Sequence, residues 1–138
     1  MDNNNLVKYK NTAITHFKNA LHTGDTHNLE YYFYNMLTWI GVCLEEKRKN
    51  PNYKFSNVEK GLVSGFKHAN NTFKHESTVF DLKTVSKAKR IAVWSSMVGM
   101  NNGFENQRKA YNSSLAEKNI EETVDLISVI IDESMLQD

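Results

Sequence analysis

The sequence predicts an all-α fold: a four- to five-helix antiparallel bundle with an irregular or short extended excursion around residues 77–100. Three observations carry this. Apolar residues recur at intervals of three and four over most of the chain, the spacing that places them on one helix face. Breakers are few: one proline, Pro51, and no Gly/Ser-rich linker, internal repeat or low-complexity tract beyond the short Asn run at residues 3–5. A length of 138 residues with 40% hydrophobic content suits one domain spanning 1–138. A chain of this size can bury roughly two-thirds of its unfolded surface without help from disulfides or structural metal.

The elements follow in order. Leu6, Ala13, Ile14, Phe17 and Leu21 predict a helix over about 5–21, stopped by Gly24, a residue that tolerates positive φ. Thr26 or Asn28 can cap the second helix, because a short side-chain oxygen satisfies an orphan N–H. Its stripe is Leu29, Tyr32, Phe33, Met36, Ile40, Cys43 and Leu44. A charged exit, Glu45 to Lys49, leads to Asn50-Pro51-Asn52, where the residue before proline avoids the α region. Ser56 and Glu59 have capping-box spacing and open the third helix, whose core face is Val58, Leu62, Phe66, Ala69 and Phe73. Gly65 lies inside it, which suggests close packing against a neighbour. Phe80, Leu82 and Thr84 alternate, so a short strand or extended arm is expected at Val79–Val85. Ile91 to Trp94 reads as a short buried strand or a helix turn. Asn101-Asn102-Gly103 signals a turn. A fourth helix over about 104–116 gathers Phe104, Tyr111 and Leu115. A fifth over about 120–136 gathers Ile120, Val124, Ile127, Ile131 and Met135. Glu121, Glu122 and Asp125 lie near its N-terminus, where the helix dipole favours negative charge.

Composition narrows the function classes. A net charge of +1 argues against a grossly basic nucleic-acid coat, so any basic surface must be local. One cysteine excludes an intrachain disulfide and a Cys-rich zinc knuckle. Cys43, between Val42 and Leu44, reads as a small buried hydrophobe rather than a nucleophile. No apolar run approaches the roughly 20 residues that span a bilayer. The first residues, MDNNNLVKYK, show no signal-peptide pattern, so a cytoplasmic protein is expected. No P-loop, GxGxxG, HExxH, GxSxG or EF-hand spacing is present, and neither cofactor nor metal is expected.

One segment offers chemistry. Residues 67–76 read Lys-His-Ala-Asn-Asn-Thr-Phe-Lys-His-Glu. On a helical wheel Leu62, Phe66, Ala69 and Phe73 face the core, while Ser64, Lys67, His68, Asn71, Thr72, Lys74 and His75 share the opposite side. Asn71 and His75 are one turn apart and therefore neighbours. An amide, ammonium groups and an imidazole in one patch suit a phosphodiester: lysines for charge, amide for orientation, histidine for proton transfer. A polar helix face of this kind is also what an ordinary solvated surface looks like. Yet Asn70-Asn71 inside a helix is poor for propensity, because asparagine side chains compete for backbone hydrogen bonds.

The stretch Asn70-Asn71-Thr72-Phe73-Lys74-His75 resembles the motif of the HEPN family, small α-helical bundles of which many are metal-independent ribonucleases. The family pattern is an Arg, a polar residue, three variable residues and a His, late in a helix. Asn71 matches the polar position and His75 the histidine; Asn70 stands where the family has Arg. The resemblance implies a homodimer whose motif helices meet in a cleft around RNA. It implies His75 as general acid or base and Asn71 as the residue that orients it or the phosphate; with Asn70 these are the candidate catalytic residues, and Lys67, Lys74 and His68 on the same patch are the candidate RNA contacts. It places such a chain in toxin–antitoxin or phage-defence modules. Because guanidinium offers a fork that an amide does not reproduce, the alternative is a non-catalytic helical interaction or regulatory protein of immunity type.

His16, His22 and His27 lack metal-ligand spacing and read as surface residues. Glu45-Glu46 followed by Lys47-Arg48-Lys49 reads as a solvated helix end. Lys83, Lys87, Lys89 and Arg90 beside Trp94 form the most basic stretch, suited to a nucleic-acid backbone or simply an exposed arm with an ordinary core tryptophan. Tyr31, Tyr32 and Tyr34 with Phe33 and Trp39 read as core and interface aromatics.

Overall fold

The computed structural model describes residues 2–48, 54–73, 79–86, 89–96 and 105–136. Its elements are α1 (Asn3–Thr23), α2 (Thr26–Arg48), α3 (Asn57–Phe73), β1 (Phe80–Ser86), β2 (Lys89–Trp94), α4 (Glu105–Ser114) and α5 (Ile120–Leu136). The fold is mostly helical, as expected, but not all-α. The excursion after α3 is an antiparallel β-hairpin, with Phe80 opposite Trp94 and Lys83 opposite Ile91. The turns expected at Asn50-Pro51-Asn52 and Asn101-Asn102-Gly103 lie outside the described residues, as does Phe104.

Local chemistry sets the helix ends. Asp2 accepts from the Asn5 backbone N–H at 3.0 Å and opens α1. Gly24 closes it at φ 76°, with its N–H donated to Ala20 O. The cap of α2 is Asp25, whose carboxylate accepts from the Asn28 N–H at 3.3 Å, rather than Thr26 or Asn28. At α3 the capping box forms in both directions: Glu59 N–H donates to Ser56 Oγ at 3.2 Å, and Ser56 N–H donates to Glu59 Oε1 at 2.9 Å. Replacing Ser56 by Ala removes one of these bonds. The expected loss is about 1 kcal/mol, read as a lower urea midpoint with unchanged slope.

The core is built around aromatic rings. Phe33 stacks against Phe80 at 4.5 Å and Phe17 at 5.7 Å, and Phe66 meets Trp94 edge-on at 5.3 Å. The polar tips of the two largest buried rings are satisfied. Trp94 Nε1 donates to Thr123 Oγ1 at 2.8 Å, and Tyr111 OH donates to Ser95 O at 2.6 Å. These bonds tie β2 and the residue following it to α5 and α4. The turn after α4 finishes the attachment: Glu117 N–H donates to Trp94 O at 2.8 Å, and Trp94 N–H donates to Lys118 O at 3.1 Å. β2 is therefore wedged between β1 and this turn, while the residues of β1 beyond Phe80 are exposed.

Two expectations about single residues change. Val58, assigned to the core stripe of α3, is 83% exposed, because it precedes the part of the helix that the bundle covers. Lys47, assigned to a solvated helix end, is buried with its Nζ 5.8 Å from the Phe55 ring centroid, and burial holds its pKa below the usual lysine value.

Candidate functional site

The C-terminal half of α3 carries the residues singled out from the sequence. α3 packs against α4 on one flank and α2 on the other. On the α4 flank, Gly61, Gly65, His68 and Thr72 form one ridge at helical spacing. A Cβ on Gly65 would sit 3.3 Å from Leu115 Cδ1 and 3.4 Å from the Tyr111 backbone, so the close packing expected at this glycine is present. His68 continues the ridge with its ring 5.5 Å from that of Tyr111, and it is 0% exposed. Thr72 is also buried and donates from Oγ1 to His68 O at 2.8 Å. The wheel placed both residues on the outer face. The correction has a physical cause: one apolar arc describes a helix with one neighbour, and α3 packs against α4 on a flank separate from the one it turns to α2.

On the α2 flank stands Asn70. Its amide packs onto the backbone of Gly41: a Cβ built there would run into Asn70 Nδ2 and lie 3.3 Å from its Cγ. Asn70 Oδ1 is buried with no hydrogen-bond partner among the described residues. The asparagine at the family's Arg position is thus a wedge between two helices. Asn71 is half-buried and donates from Nδ2 to Gln107 Oε1 of α4 at 3.4 Å. Lys67 is half-buried on the outer side, one turn before Asn71. Lys74 and His75 lie outside the described residues. Of the six residues predicted for an RNA-directed site, then, the structure half-buries Lys67 and Asn71 and places Asn70 and His68 in packing roles.

The remaining candidates sort as follows. Trp94 is fully buried, so it offers no stacking platform beside the basic stretch. Lys83 and Lys89 are exposed and Arg90 is half-buried on the hairpin, and Lys87 lies outside the described residues. His16 packs its ring 5.4 Å from that of Tyr32, His22 Nε2 lies 2.8 Å from Glu121 Oε2, and His27 is exposed. No group of three or more metal-ligating side chains occurs among the described residues. Cys43 is fully buried, as expected, and donates from Sγ to Leu6 O at 3.6 Å. Burial pushes its thiol up to about 11, with Lys10 opposing and Asp132 adding to the shift, so it is held in the unreactive thiol form. Burial likewise holds the Tyr111 phenol far above its usual range, with Asp81 adding to it, which keeps the proton it donates to Ser95.

Sequence reasoning missed two features. The first is Lys10, 0% exposed, with Nζ 2.7 Å from Ser128 Oγ and 2.5 Å from Asp132 Oδ1. The second is the outer face of α5. This helix carries Glu121, Glu122, Asp125, Asp132 and Glu133 and no Lys or Arg. Three of these acids turn to α1, where Lys10 meets Asp132, Lys18 meets Asp125 at 2.6 Å and His22 meets Glu121. Glu122 and Glu133 are exposed and make no ion pair with a described residue. Between them Leu126 is 60% and Val129 55% exposed, with Ile130 half-buried alongside. The spacing 122, 126, 129, 133 is one helix ridge. The signal was in the sequence: α5 has apolar residues on two sides of its wheel, whereas one side suffices for the core.

No helix among the described residues is long and apolar enough to cross a membrane. No protein-family model, curated protein or solved structure matches the chain.

Proposed function

We propose that this chain is a helical interaction domain, HEPN-like in its bundle, that works by protein contact and not by cutting RNA. The observation that carries the reading is the outer ridge of α5, where Leu126 and Val129 stand exposed between Glu122 and Glu133. Exposed apolar side chains in register along a helix, rimmed by carboxylates, suit a partner that brings apolar anchors and a basic rim. A second copy docking through the same ridge would set carboxylate against carboxylate, which disfavours self-pairing there. The state of α3 agrees. The position that supplies guanidinium in the family pattern holds a neutral amide used to pack against Gly41, and His68 is interior. A helical regulator or immunity-type protein in the cytoplasm, with an acidic face on α5 and acting within a toxin–antitoxin or phage-defence module, fits these features.

The test has two arms. Purified protein incubated with RNA in EDTA is expected to leave it intact. Cleavage that His75→Ala abolishes without unfolding the domain would overturn the reading in favour of the ribonuclease. In the second arm, a protein co-purified from source cells is isolated and titrated against the wild type and against the Leu126→Glu/Val129→Glu pair. Binding to the wild type that weakens with salt and is lost in the variant supports the reading. Binding equal in both counts against it. Light scattering on the isolated protein reads directly whether the homodimer implied by the resemblance forms.

A further inference from the structure

Away from the Leu126–Val129 ridge, a cavity of about 400 Å³ opens where the end of α1 meets the end of β1 and the start of β2. Its polar lining consists of His22 and Thr23 from α1, and Thr84, Ser86, Lys89 and Arg90 from the hairpin. Every one of these side chains can donate a hydrogen bond, three carry or can carry positive charge, and no carboxylate is among them. One lining residue, His22, is paired with a carboxylate from outside the lining, Glu121 at 2.8 Å. Lys89 and Arg90 make no ion pair with a described residue.

The hairpin is built to bring these groups together. In a regular strand, adjacent residues such as Lys89 and Arg90 point to opposite faces. Here the ladder breaks between Thr84 and Ser86, so that Thr84 pairs with Arg90 and Ser86 pairs with Lys89. Such a bulge re-aims side chains. The outcome is two successive rungs, each with a hydroxyl and a cation, lining one cavity. Gly24 leaves space for the guanidinium, since a Cβ there would run into Arg90 Nη2. A cation near the end of α1 also complements the helix dipole. That accounts for Arg90 alone; it does not account for a second cation and two hydroxyls turned to the same space. Two like charges lining one cavity, neither in an ion pair with a described residue, are arranged for an anion that the solvent supplies.

We propose that this cavity is a binding site for a phosphate group carried by a ligand of nucleotide size. Arg90 supplies the planar fork that matches two phosphate oxygens, Lys89 the second charge, and Thr84 and Ser86 the remaining donors. The volume falls in the range of small-molecule sites. The phosphate can belong to a free nucleotide or to the backbone of a single-stranded RNA, which share this chemistry. The lining shares no residue with the Leu126–Val129 ridge of α5 or with Lys67 and Asn71 of α3, so the site stands or falls independently of the protein-contact reading.

The experiment is a calorimetric titration of the full chain at low salt with three probes: inorganic phosphate, a nucleoside monophosphate, and a short single-stranded RNA. The expected result is saturable binding of at least one probe that weakens as salt rises and falls about tenfold or more in Lys89→Gln. Tight binding of the monophosphate identifies a free nucleotide as the source. Binding of the RNA alone identifies the backbone. Arg90→Gln removes the guanidinium but also a neighbour of α1. Thr84→Val therefore serves as a second variant, with a thermal melt to show that each folds. No binding of any probe, or binding that folded Lys89→Gln and Thr84→Val leave unchanged, overturns the proposal.

Discussion

Asp132→Asn should destabilise the protein by about 3 kcal/mol, with a fall in Tm of roughly 10 °C. Lys10 lies in the core-facing arc of α1 with its ammonium fully buried, and Asp132 is the only carboxylate among the described residues that meets it. An amide in that place keeps a neutral acceptor but removes the counter-charge, which leaves the ammonium interior among neutral oxygens only, those of Ser128 included, at 2.7 Å from Oγ and 3.4 Å from the carbonyl. The reciprocal change is expected to be milder. Lys10→Met removes the buried charge, fits a similar volume, and leaves Asp132, whose side chain is 39% exposed, in contact with water. The order of the two variants is the test. Urea melts in which Lys10→Met is the more damaging would show that the pair stabilises by attraction rather than by relieving a stranded charge.

Lys10 also shows what the sequence leaves unread. It lies three residues before Ala13 and seven before Phe17, which places it on the core side of α1. A lysine there reads as solvated because its counter-charge is 122 residues away. The helices themselves were legible, since a period of 3.6 is a local property. Capping at Ser56 and Glu59, the stop at Gly24 and the crowding at Gly65 were legible for the same reason. The hairpin was legible only as alternation. What makes it a hairpin with a buried Trp94 is a bond from Thr123 and a turn at Glu117 and Lys118, both distant in sequence. On α3, hydropathy located Leu62, Phe66 and Ala69 but misplaced His68 and Thr72. Their ridge is announced by Gly61 and Gly65, where the information lies in a missing Cβ and not in an apolar side chain. The same is true of Gly41 and Asn70. As for the candidate site, Lys67 and Asn71 are half-buried, and neither the bond from Asn71 to Gln107 of α4 nor the role of Asn70 against α2 was visible without the neighbouring helices.

That role makes Asn70 the most informative position in the chain. Asn70→Arg restores the residue of the HEPN-like pattern, but the longer side chain has to enter the space already filled against Gly41. The expected result is a loss of about 2–3 kcal/mol from overpacking and from a poorly solvated guanidinium, with no gain of RNA cleavage. A stable variant that cuts RNA in EDTA would show instead that the side chain escapes to the outer edge of α3 and meets a phosphate there. A two-site cycle separates packing from chemistry. Asn70→Ala removes an amide oxygen that is buried without a hydrogen bond, and it opens the space in which Gly41→Ala can place its methyl group. Gly41→Ala alone should destabilise, because its Cβ meets the asparagine amide. Together the two substitutions should be more stable than the native protein by about 1 kcal/mol, since each adds a good helix former and an unpaired polar atom is gone. The coupling between the sites should then be favourable by about 1–2 kcal/mol. Additive effects would mean that Asn70 does not press on α2, and with that the argument that this asparagine serves packing rather than catalysis would fail.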